Sequence, residues 1–284
     1  MGIFRRNKPI VLESAVVVNA DAKTSAEIQR DKLKKYFDLY KGRKNAQELA
    51  HIEHQIKNLE RGCFGESYTL NMLKRAPMNM LIVRDLNFMY NDETAVQIDF
   101  LVITDKLIFA IETKNWGGNF RIDSQGEFIA LKNGSAVHRE SPISQSNTHT
   151  GYLRQLYRMI MSKDKSDRFD NMVVWANQDS VLDRADAPAD TASKIVYPNG
   201  VVQRITEYHT ASRLKALKEK EMRRIAESFL AYCVQHPVAP KCPLCGKGIL
   251  VKKNGINDRP DFLGCSRYNR NDSTHSCSYM ESIT

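Results

Sequence analysis

The chain has 284 residues, a length that allows one large domain or two smaller ones. Hydrophobic residues make up 42% and charged residues 26%, which excludes a chain that is disordered by composition. Lys and Arg outnumber Asp and Glu by 42 to 33, giving a formal net charge of +9 and favouring a polyanionic partner. The positive excess lies in the two flanks, whereas residues 63–208 are slightly acidic.

The sequence contains no apolar run that approaches the roughly 20 residues needed to span a bilayer. Its start imitates a secretion signal, because Arg5, Arg6 and Lys8 precede an apolar run over residues 10–18. Glu13 interrupts that run, which is also too short for a signal peptide. We therefore expect a cytoplasmic protein that does not enter a membrane.

Residues 1–59 predict a helical N-terminal extension. Ser25 is a candidate N-cap, and Gly42 divides the extension into two helices with apolar residues at three- and four-residue spacing. The motif Gly62-Cys-Phe-Gly65-Glu66 predicts a second interruption before the helix resumes at Ser67. We expect a helical hairpin that packs on the next domain, since a coiled coil would need more heptads.

Residues 60–208 predict a mixed α/β domain. Val96–Thr104 and Leu107–Thr113 are strongly apolar and predict a hairpin that turns at Asp105-Lys106. Further strands are predicted at residues 81–86, 120–122, 127–131, 172–176 and 194–197, and an amphipathic helix at residues 144–161. Residues 209–240 predict a basic helix, over residues 211–234, and a proline-containing linker.

Two carboxylates lie in or at the end of these apolar strands. Alternation places Gln97, Asp99 and Leu101 on one face, and Glu112 and Lys114 share a face on the next strand. Ionised carboxylates at such positions are costly unless they are paired or bind a metal. Oxygen ligands of this kind suit Mg²⁺ or Mn²⁺. A structural carboxylate–lysine pair across the hairpin is the alternative, and the spacing leaves it open.

Asp99, twelve intervening residues and Glu112-x-Lys114 resemble the core of the PD-(D/E)xK nucleases. Four blocks within residues 60–155 more specifically resemble the nuclease-related domain family, NERD. In chain order they are Gly62-x-x-Gly65-Glu66, Gln97-Ile-Asp99, Ile111-Glu-x-Lys-Asn115 with Gly117 or Gly118, and Pro142-x-x-Gln145-x-x-x-His149-x-x-x-Leu153. The family usually has Asn before the proline, where this chain has Ser141.

The resemblance implies roles for individual residues. Asp99, Glu112 and the backbone carbonyl of Thr113 would bind the catalytic metal, and Lys114 would position the attacking water. Glu66 would assist that metal or a second ion, although it can equally be a carboxylate at a helix start.

Two glutamines complete the site that the resemblance implies. Gln97 and Gln145 would line it and contact the phosphate or the water, while Gln145 can instead cap the helix that starts near Ser144. His149, one turn further along, would contact a backbone phosphate or pack in the core.

The C-terminal module over residues 241–284 contains Cys242, Cys245, Cys265 and Cys277 in a C-x₂-C-x₁₉-C-x₁₁-C pattern. Four thiolates suit tetrahedral Zn²⁺, and so short a module needs a metal or cross-links to be stable. Buried cysteines without metal are one alternative, and His275 in place of Cys277 is another.

The same module resembles the zinc ribbon at the C-terminus of type I bacterial topoisomerases. That resemblance implies binding of single-stranded DNA through basic residues and stacked aromatic rings. The candidate residues are Lys252, Lys253, Arg259, Phe262, Arg267, Tyr268 and Arg270. Packing around the zinc is the alternative role of Phe262.

Together these observations predict a restriction-endonuclease-like α/β domain with a helical extension and a small zinc ribbon. The predicted function is Mg²⁺- or Mn²⁺-dependent hydrolysis of phosphodiester bonds in DNA, with the ribbon binding nucleic acid. A non-catalytic DNA-binding adaptor that recruits a helicase or another DNA-processing protein is the alternative. Nothing in the sequence distinguishes DNA from RNA as the substrate.

Overall fold

The computed structural model describes residues 15–132, 134–161, 166–255, 259–269, 271 and 276–283. Its helices are α1 (Ser25–Tyr40), α2 (Ala46–Leu73), α3 (Pro142–Met161), α4 (Ala189–Ser193), α5 (Val201–Ala211) and α6 (Glu219–Gln235). Its strands are β1 (Ala15–Val17), β2 (Met80–Met89), β3 (Ala95–Thr104), β4 (Ile108–Lys114), β5 (Asn119–Ile122), β6 (Phe128–Lys132), β7 (Ser135–Arg139), β8 (Phe169–Trp175), β9 (Leu182–Asp183), β10 (Ile195–Val196), β11 (Leu250–Lys253), β12 (Phe262–Cys265) and β13 (Met280–Ser282). None of the described helices is both long and apolar enough to cross a membrane.

Contacts divide the chain into two compact units. The sheet unit contains residues 15–20 and 65–236, and the cysteine unit contains residues 21–64 and 237–284, apart from the gaps given above. Helix α2 contributes its first part to the cysteine unit and its last turns to the sheet unit.

A six-stranded mixed sheet in the order β1-β2-β3-β4-β8-β10 organises the sheet unit. Strands β2, β3 and β4 are antiparallel, whereas β1 runs parallel to β2, and β4, β8 and β10 are mutually parallel. Helices α3 and α6 cover one face, and α5 and the end of α2 cover the other. The predicted α/β fold, a mixed sheet flanked by helices as in nucleases, is confirmed.

The central strands are apolar on both sides because helices cover both faces. In β3, Phe100 and Val102 belong to the buried cluster with α2 and α5, while Leu101 and Ile103 belong to the cluster with α3 and α6. This arrangement explains why β3 and β4 form nearly continuous apolar runs in the sequence.

A second, four-stranded sheet has the order β7-β6-β5-β9. Phe120 and Phe128 from this sheet pack around Trp175 at the end of β8, with ring centroids 5.1 and 6.5 Å from the Trp175 ring. The sequence did not predict β7, because all five of its residues are exposed and give no alternating pattern.

The N-cap of α1 is Thr24, and the prediction of Ser25 was wrong by one residue. The Thr24 hydroxyl accepts a hydrogen bond from the backbone N–H of Glu27 at 3.3 Å, and the Glu27 carboxylate accepts one from the backbone N–H of Thr24 at 2.7 Å. This reciprocal pair is a capping box, and it selects Thr24 over the adjacent serine.

The predicted interruption at Gly62 and Gly65 was also wrong, since α2 runs unbroken from Ala46 to Leu73. A Cβ atom on Gly65 would lie 2.8 Å from the Cβ of Asn115 and 3.3 Å from that of Ala176. Gly65 therefore serves a close approach between α2 and the ends of β4 and β8. A Cβ on Gly62 would meet nothing within 4 Å.

The basic helix predicted at residues 211–234 begins only at Glu219, as α6, because residues 212–218 are not helical. The sequence did not predict α5, which ends at Ala211. Arg168 donates hydrogen bonds to the carbonyl oxygens of Lys106, at 2.9 Å, and Lys215, at 2.7 Å. The buried Leu217 donates its N–H to the Asp105 carbonyl. These tertiary hydrogen bonds hold residues 212–218 against the β3–β4 turn. Local helix propensity does not predict such contacts.

In the cysteine unit, β11, β12 and β13 form a three-stranded antiparallel sheet. Leu33, Tyr36 and Ile52, from α1 and α2, share one buried cluster with the cysteines of the C-terminal module. The rings of Tyr36 and Tyr279 lie 4.8 Å apart. The sequence predicted that residues 1–59 and 241–284 form separate modules, whereas contacts place most of both in one compact unit.

The two glycines of α2 provide a matched test of the close approach. We expect Gly65→Ala to lower the free energy of unfolding by about 1–3 kcal/mol, because the added methyl group overpacks against Asn115. Gly62→Ala should instead raise it by about 0.5–1 kcal/mol, because alanine favours a helix interior and has open space there. Urea denaturation measures both, and equal effects of the two substitutions would contradict the assignment.

Candidate functional site

The backbone ladders of the six-stranded sheet open on both sides of Asp99. On one side, Arg84 pairs with Phe100 and Leu86 with Ile98, but Asp85 and Asp99, which lie between these pairs, do not pair. On the other side, the pairing of β3 with β4 ends at Phe100 and Ile111, one residue before Asp99. Asp99 is thus a strand residue whose backbone neither neighbouring strand engages in register.

The Asp99 side chain occupies the gap that this opening leaves. Its Oδ2 atom accepts a hydrogen bond from the backbone N–H of Thr113 at 2.7 Å. Burial raises the pKa of Asp99 well above its usual range, and the negative charges of Glu112 and Glu66 raise it further. The hydrogen bond from Thr113 and the charge of Lys114 oppose that rise without cancelling it. The protonated form of Asp99 is therefore favoured unless a cation binds beside the two carboxylates.

Glu112 is 7% exposed and pairs with Lys114 on the same side of β4. The Lys114 ammonium donates to Glu112 Oε1 at 2.5 Å and to Gln145 Oε1 at 3.0 Å. It also lies 5.7 Å from the centre of the Trp116 ring. These three contacts hold the ammonium in one place, which suits a group that must orient another molecule.

Gln145 contacts Lys114, and a serine hydroxyl satisfies the start of α3. The Ser141 hydroxyl accepts a hydrogen bond from the backbone N–H of Ser144 at 3.3 Å, and the Ser141 carbonyl accepts one from the N–H of Gln145 at 3.0 Å. Ser and Asn are both strong N-caps, so serine preserves the cap where the NERD family usually has asparagine. The Gln145 side chain is therefore left for Lys114.

Glu66 acts on Asp99 through its charge, but the acidic residues do not form a compact triad. Among the described residues, the four cysteines are the only set of three or more His, Cys, Asp or Glu side chains whose ligand atoms all lie within 4.8 Å of one another. The ligand oxygens of Glu66, Asp99 and Glu112 therefore do not all lie within 4.8 Å of one another.

Gln97 contacts Asp85, since its side-chain amide donates to Asp85 Oδ1 at 3.0 Å. Strict alternation through β3, which placed Gln97, Asp99 and Leu101 on one face, is wrong. Ile98 and Leu101, three residues apart, belong to the same buried cluster, so the pattern slips between them.

His149 lies one turn from Gln145 on α3, and its Nδ1 atom is buried without a hydrogen-bond partner in the part of the chain that the structure describes. Burial lowers the pKa of the His149 ring, and the charge of Glu112 partly opposes this. The neutral imidazole is thus favoured beside the acidic pair.

The four cysteines of the C-terminal module form a compact group in the cysteine unit. Cys242 and Cys277 have Sγ atoms 3.6 Å apart, and Cys245 and Cys265 have Sγ atoms 3.7 Å apart. A tetrahedron with Zn–S bonds of about 2.3 Å has sulfur–sulfur edges of about 3.8 Å, so the spacing fits a tetrahedral metal. Gly246, with φ of +64°, makes the turn after the first cysteine pair.

The electrostatics of the thiols also favour a cation among them. A hydrogen bond from Cys242 lowers the pKa of Cys277 to about 5 and raises that of Cys242, so the pair shares one proton. Burial raises the pKa of Cys265 to about 11. Four thiolates so close together need a positive ion to ionise jointly. The alternative ligand His275 lies outside the described residues.

The ribbon residues predicted to bind nucleic acid fall into two groups. Lys253, Arg259, Phe262 and Tyr268 line one cavity of about 870 Å³ within the cysteine unit. Lys252 and Arg267 do not line it, and Lys252 forms an ion pair with Asp261 at 2.9 Å. Arg270 lies outside the described residues.

Sequence reasoning missed Asp85 and Trp116, which contact Gln97 and Lys114. Asp85 interrupts the apolar run of β2, and this break in the pattern was an available signal. Trp116 follows Lys114 by two residues, but only the folded chain shows that its ring lies beside the ammonium.

The model of the NERD family, described as nuclease-related domain, matches residues 61–176. Neither the curated proteins nor the solved structures contain a match to the chain. The matched segment includes Glu66, Asp99, Glu112, Lys114 and Gln145, together with strands β2 to β8. Residues 61–176 of this chain are therefore a nuclease-related domain.

Proposed function

We propose that the protein is a metal-dependent nuclease that hydrolyses phosphodiester bonds in DNA. The observation that carries the proposal is the convergence of Asp99, Glu112, Lys114 and Gln145 where the central sheet opens. A structural ion pair would need only Glu112 and Lys114. The further carboxylate of Asp99, whose ionised form burial disfavours, would ionise more readily with a cation bound beside it.

The donor set suits a hard divalent cation. Asp99 and Glu112 supply carboxylate oxygens, and Thr113 supplies a backbone carbonyl. Because the N–H of Thr113 points to Asp99 and a strand residue projects its N–H and C=O to the same side, that carbonyl faces the same gap. Mg²⁺ or Mn²⁺ held there would lower the pKa of a bound water and polarise the phosphodiester.

The remaining residues position the reacting groups. Lys114, fixed by Glu112 and Gln145, orients the attacking water or stabilises negative charge that develops on the phosphate. Gln145 and Gln97 line the site, and Glu66 assists a metal through its charge on α2.

Nucleic acid is bound mainly outside the acidic site, because carboxylates repel phosphates. We assign this role to the C-terminal module, in which Cys242, Cys245, Cys265 and Cys277 bind a structural Zn²⁺. The binding residues are Lys252, Lys253, Arg259, Phe262, Arg267, Tyr268 and Arg270. We place the protein in the cytoplasm.

Glu112→Gln tests the acidic site with little change in side-chain volume. We expect cleavage of single- or double-stranded DNA in Mg²⁺ or Mn²⁺ to fall by at least about a hundredfold, because the site loses a metal ligand and the partner of Lys114. Gel analysis of labelled DNA measures the rate. Glu127→Gln, on an exposed turn between β5 and β6, is the matched control and should cleave as the parent does.

Three results would contradict this assignment in different ways. Equal cleavage by Glu112→Gln and the parent would show that the acidic site does not catalyse the reaction. Absence of cleavage by the parent, with DNA binding retained, would favour the adaptor that recruits a helicase or another DNA-processing protein. Cleavage of RNA but not DNA under the same conditions would show that the substrate is RNA.

The metal of the cysteine module is tested by Cys265→Ser. We expect the zinc content to fall from about one ion per chain to well below it, and the thermal unfolding midpoint to fall by several degrees, because the tetrahedral set loses a ligand. Elemental analysis and calorimetry measure the two changes. Cys233→Ser, which changes a cysteine outside the group, should retain the zinc; a parent without zinc would refute the site.

A further inference from the structure

Asp85 has a left-handed backbone conformation, which non-glycine residues adopt uncommonly. Among the described residues it is the one non-glycine with a left-handed backbone, at φ of +48°. Glycine adopts this conformation freely, and asparagine and aspartate adopt it more readily than most other residues. An aspartate at such a position indicates that its side chain has a use that glycine would not provide.

Asp85 lies opposite Asp99 in the antiparallel register of β2 and β3. The pairs on either side of these two residues are formed, but Asp85 and Asp99 do not pair. The left-handed turn of the backbone at Asp85 accounts for this local break, since it rotates the peptide groups out of the ladder. The break leaves Asp99 unpaired on the side of β2.

The alternation of side chains slips at the same place in both strands. Val83 and Leu86 on β2, three residues apart, belong to one buried cluster, and so do Ile98 and Leu101 on β3. Under strict alternation, two residues that are an odd number of positions apart would lie on opposite faces of the sheet. Asp85 therefore marks the point at which both strands change the face they present.

The carboxylate of Asp85 has a partner within the candidate site. Its Oδ1 atom accepts the hydrogen bond from the Gln97 side-chain amide at 3.0 Å. Gln97 lies two residues from Asp99 on β3. The backbone of Asp85 thus opens the ladder at Asp99, while its side chain fixes the neighbouring glutamine.

We infer that Asp85 is a positioning residue, which holds Gln97 and β3 so that the Asp99 carboxylate faces Glu112 and the backbone of Thr113. The inference rests on the proposed function for its catalytic consequence, but its structural part stands on the hydrogen bond and the register. Asp85 touches neither metal nor substrate in this role.

Three substitutions separate the backbone of Asp85 from its carboxylate. Asp85→Gly suits the left-handed backbone but removes the carboxylate, whereas Asp85→Asn keeps an oxygen that accepts from Gln97. Asp85→Ala removes the carboxylate and strains the backbone. Asp92→Gly, at an exposed position between β2 and β3, is the matched control.

We expect Asp85→Gly to unfold at the same urea concentration as the parent or higher. The backbone N–H of Thr113, which donates a hydrogen bond to Asp99, should nevertheless exchange with solvent about tenfold faster, as measured by NMR. The affinity for Mn²⁺, measured by calorimetry, should fall about tenfold. The kcat for DNA cleavage should fall about tenfold with KM unchanged. Asp85→Asn and Asp92→Gly should stay within about threefold of the parent on all three readouts.

Unchanged Thr113 exchange and unchanged Mn²⁺ affinity in Asp85→Gly would overturn the inference. Equal losses in the Gly and Asn variants would overturn it as well, because the retained oxygen of Asn would then have no effect. If the parent cleaves no DNA, the proposed function fails, and the exchange of the Thr113 amide still decides whether Asp85 positions Asp99.

Discussion

The structure depends on how a mixed sheet accommodates negative charge at its centre. Asp99 and Glu112 lie among apolar strands, where ionised carboxylates lose their hydration and repel each other. One ammonium, from Lys114, and one backbone N–H, from Thr113, offset part of that cost. The sheet must therefore open here, because a fully paired ladder would leave no N–H for Asp99 and no space for a cation.

The elements around the opening are arranged to serve it. Because Gly65 has no side chain, α2 can pack closely against Asn115. The next residue on α2, Glu66, raises the pKa of Asp99 through its negative charge. On α3, the Ser141 cap satisfies the helix start and leaves Gln145 for Lys114. The contacts of Gly65 and Gln145 join segments that are distant in the sequence, and each contributes to a single electrostatic arrangement.

The net charge of +9 is unevenly distributed along the chain. The acidic residues of the nuclease-related domain suit cations, whereas the flanks carry the positive excess that attracts phosphates. The cysteine unit contains both a set of four thiols spaced for a tetrahedral metal and a cavity lined by aromatic and basic residues. In the proposed function, binding and chemistry depend on different parts of one chain, which avoids placing phosphate-binding cations among metal ligands.

The sequence by itself determined strands β2, β3, β4, β8 and β10 of the central sheet, the β3–β4 hairpin with its carboxylates and lysine, and the cysteine cluster, because apolar patterns and ligand spacing are local properties. Only the tertiary structure decided that α2 continues through Gly65, that residues 212–218 separate α5 from α6, and that alternation slips at Asp85 and Asp99. In each case a contact from a distant segment overrides the local preference. These contacts are the close approach of Asn115, the hydrogen bond that Arg168 donates and the one that the Asp105 carbonyl accepts, and the broken ladder between β2 and β3. Periodicity along the chain carries no record of such contacts.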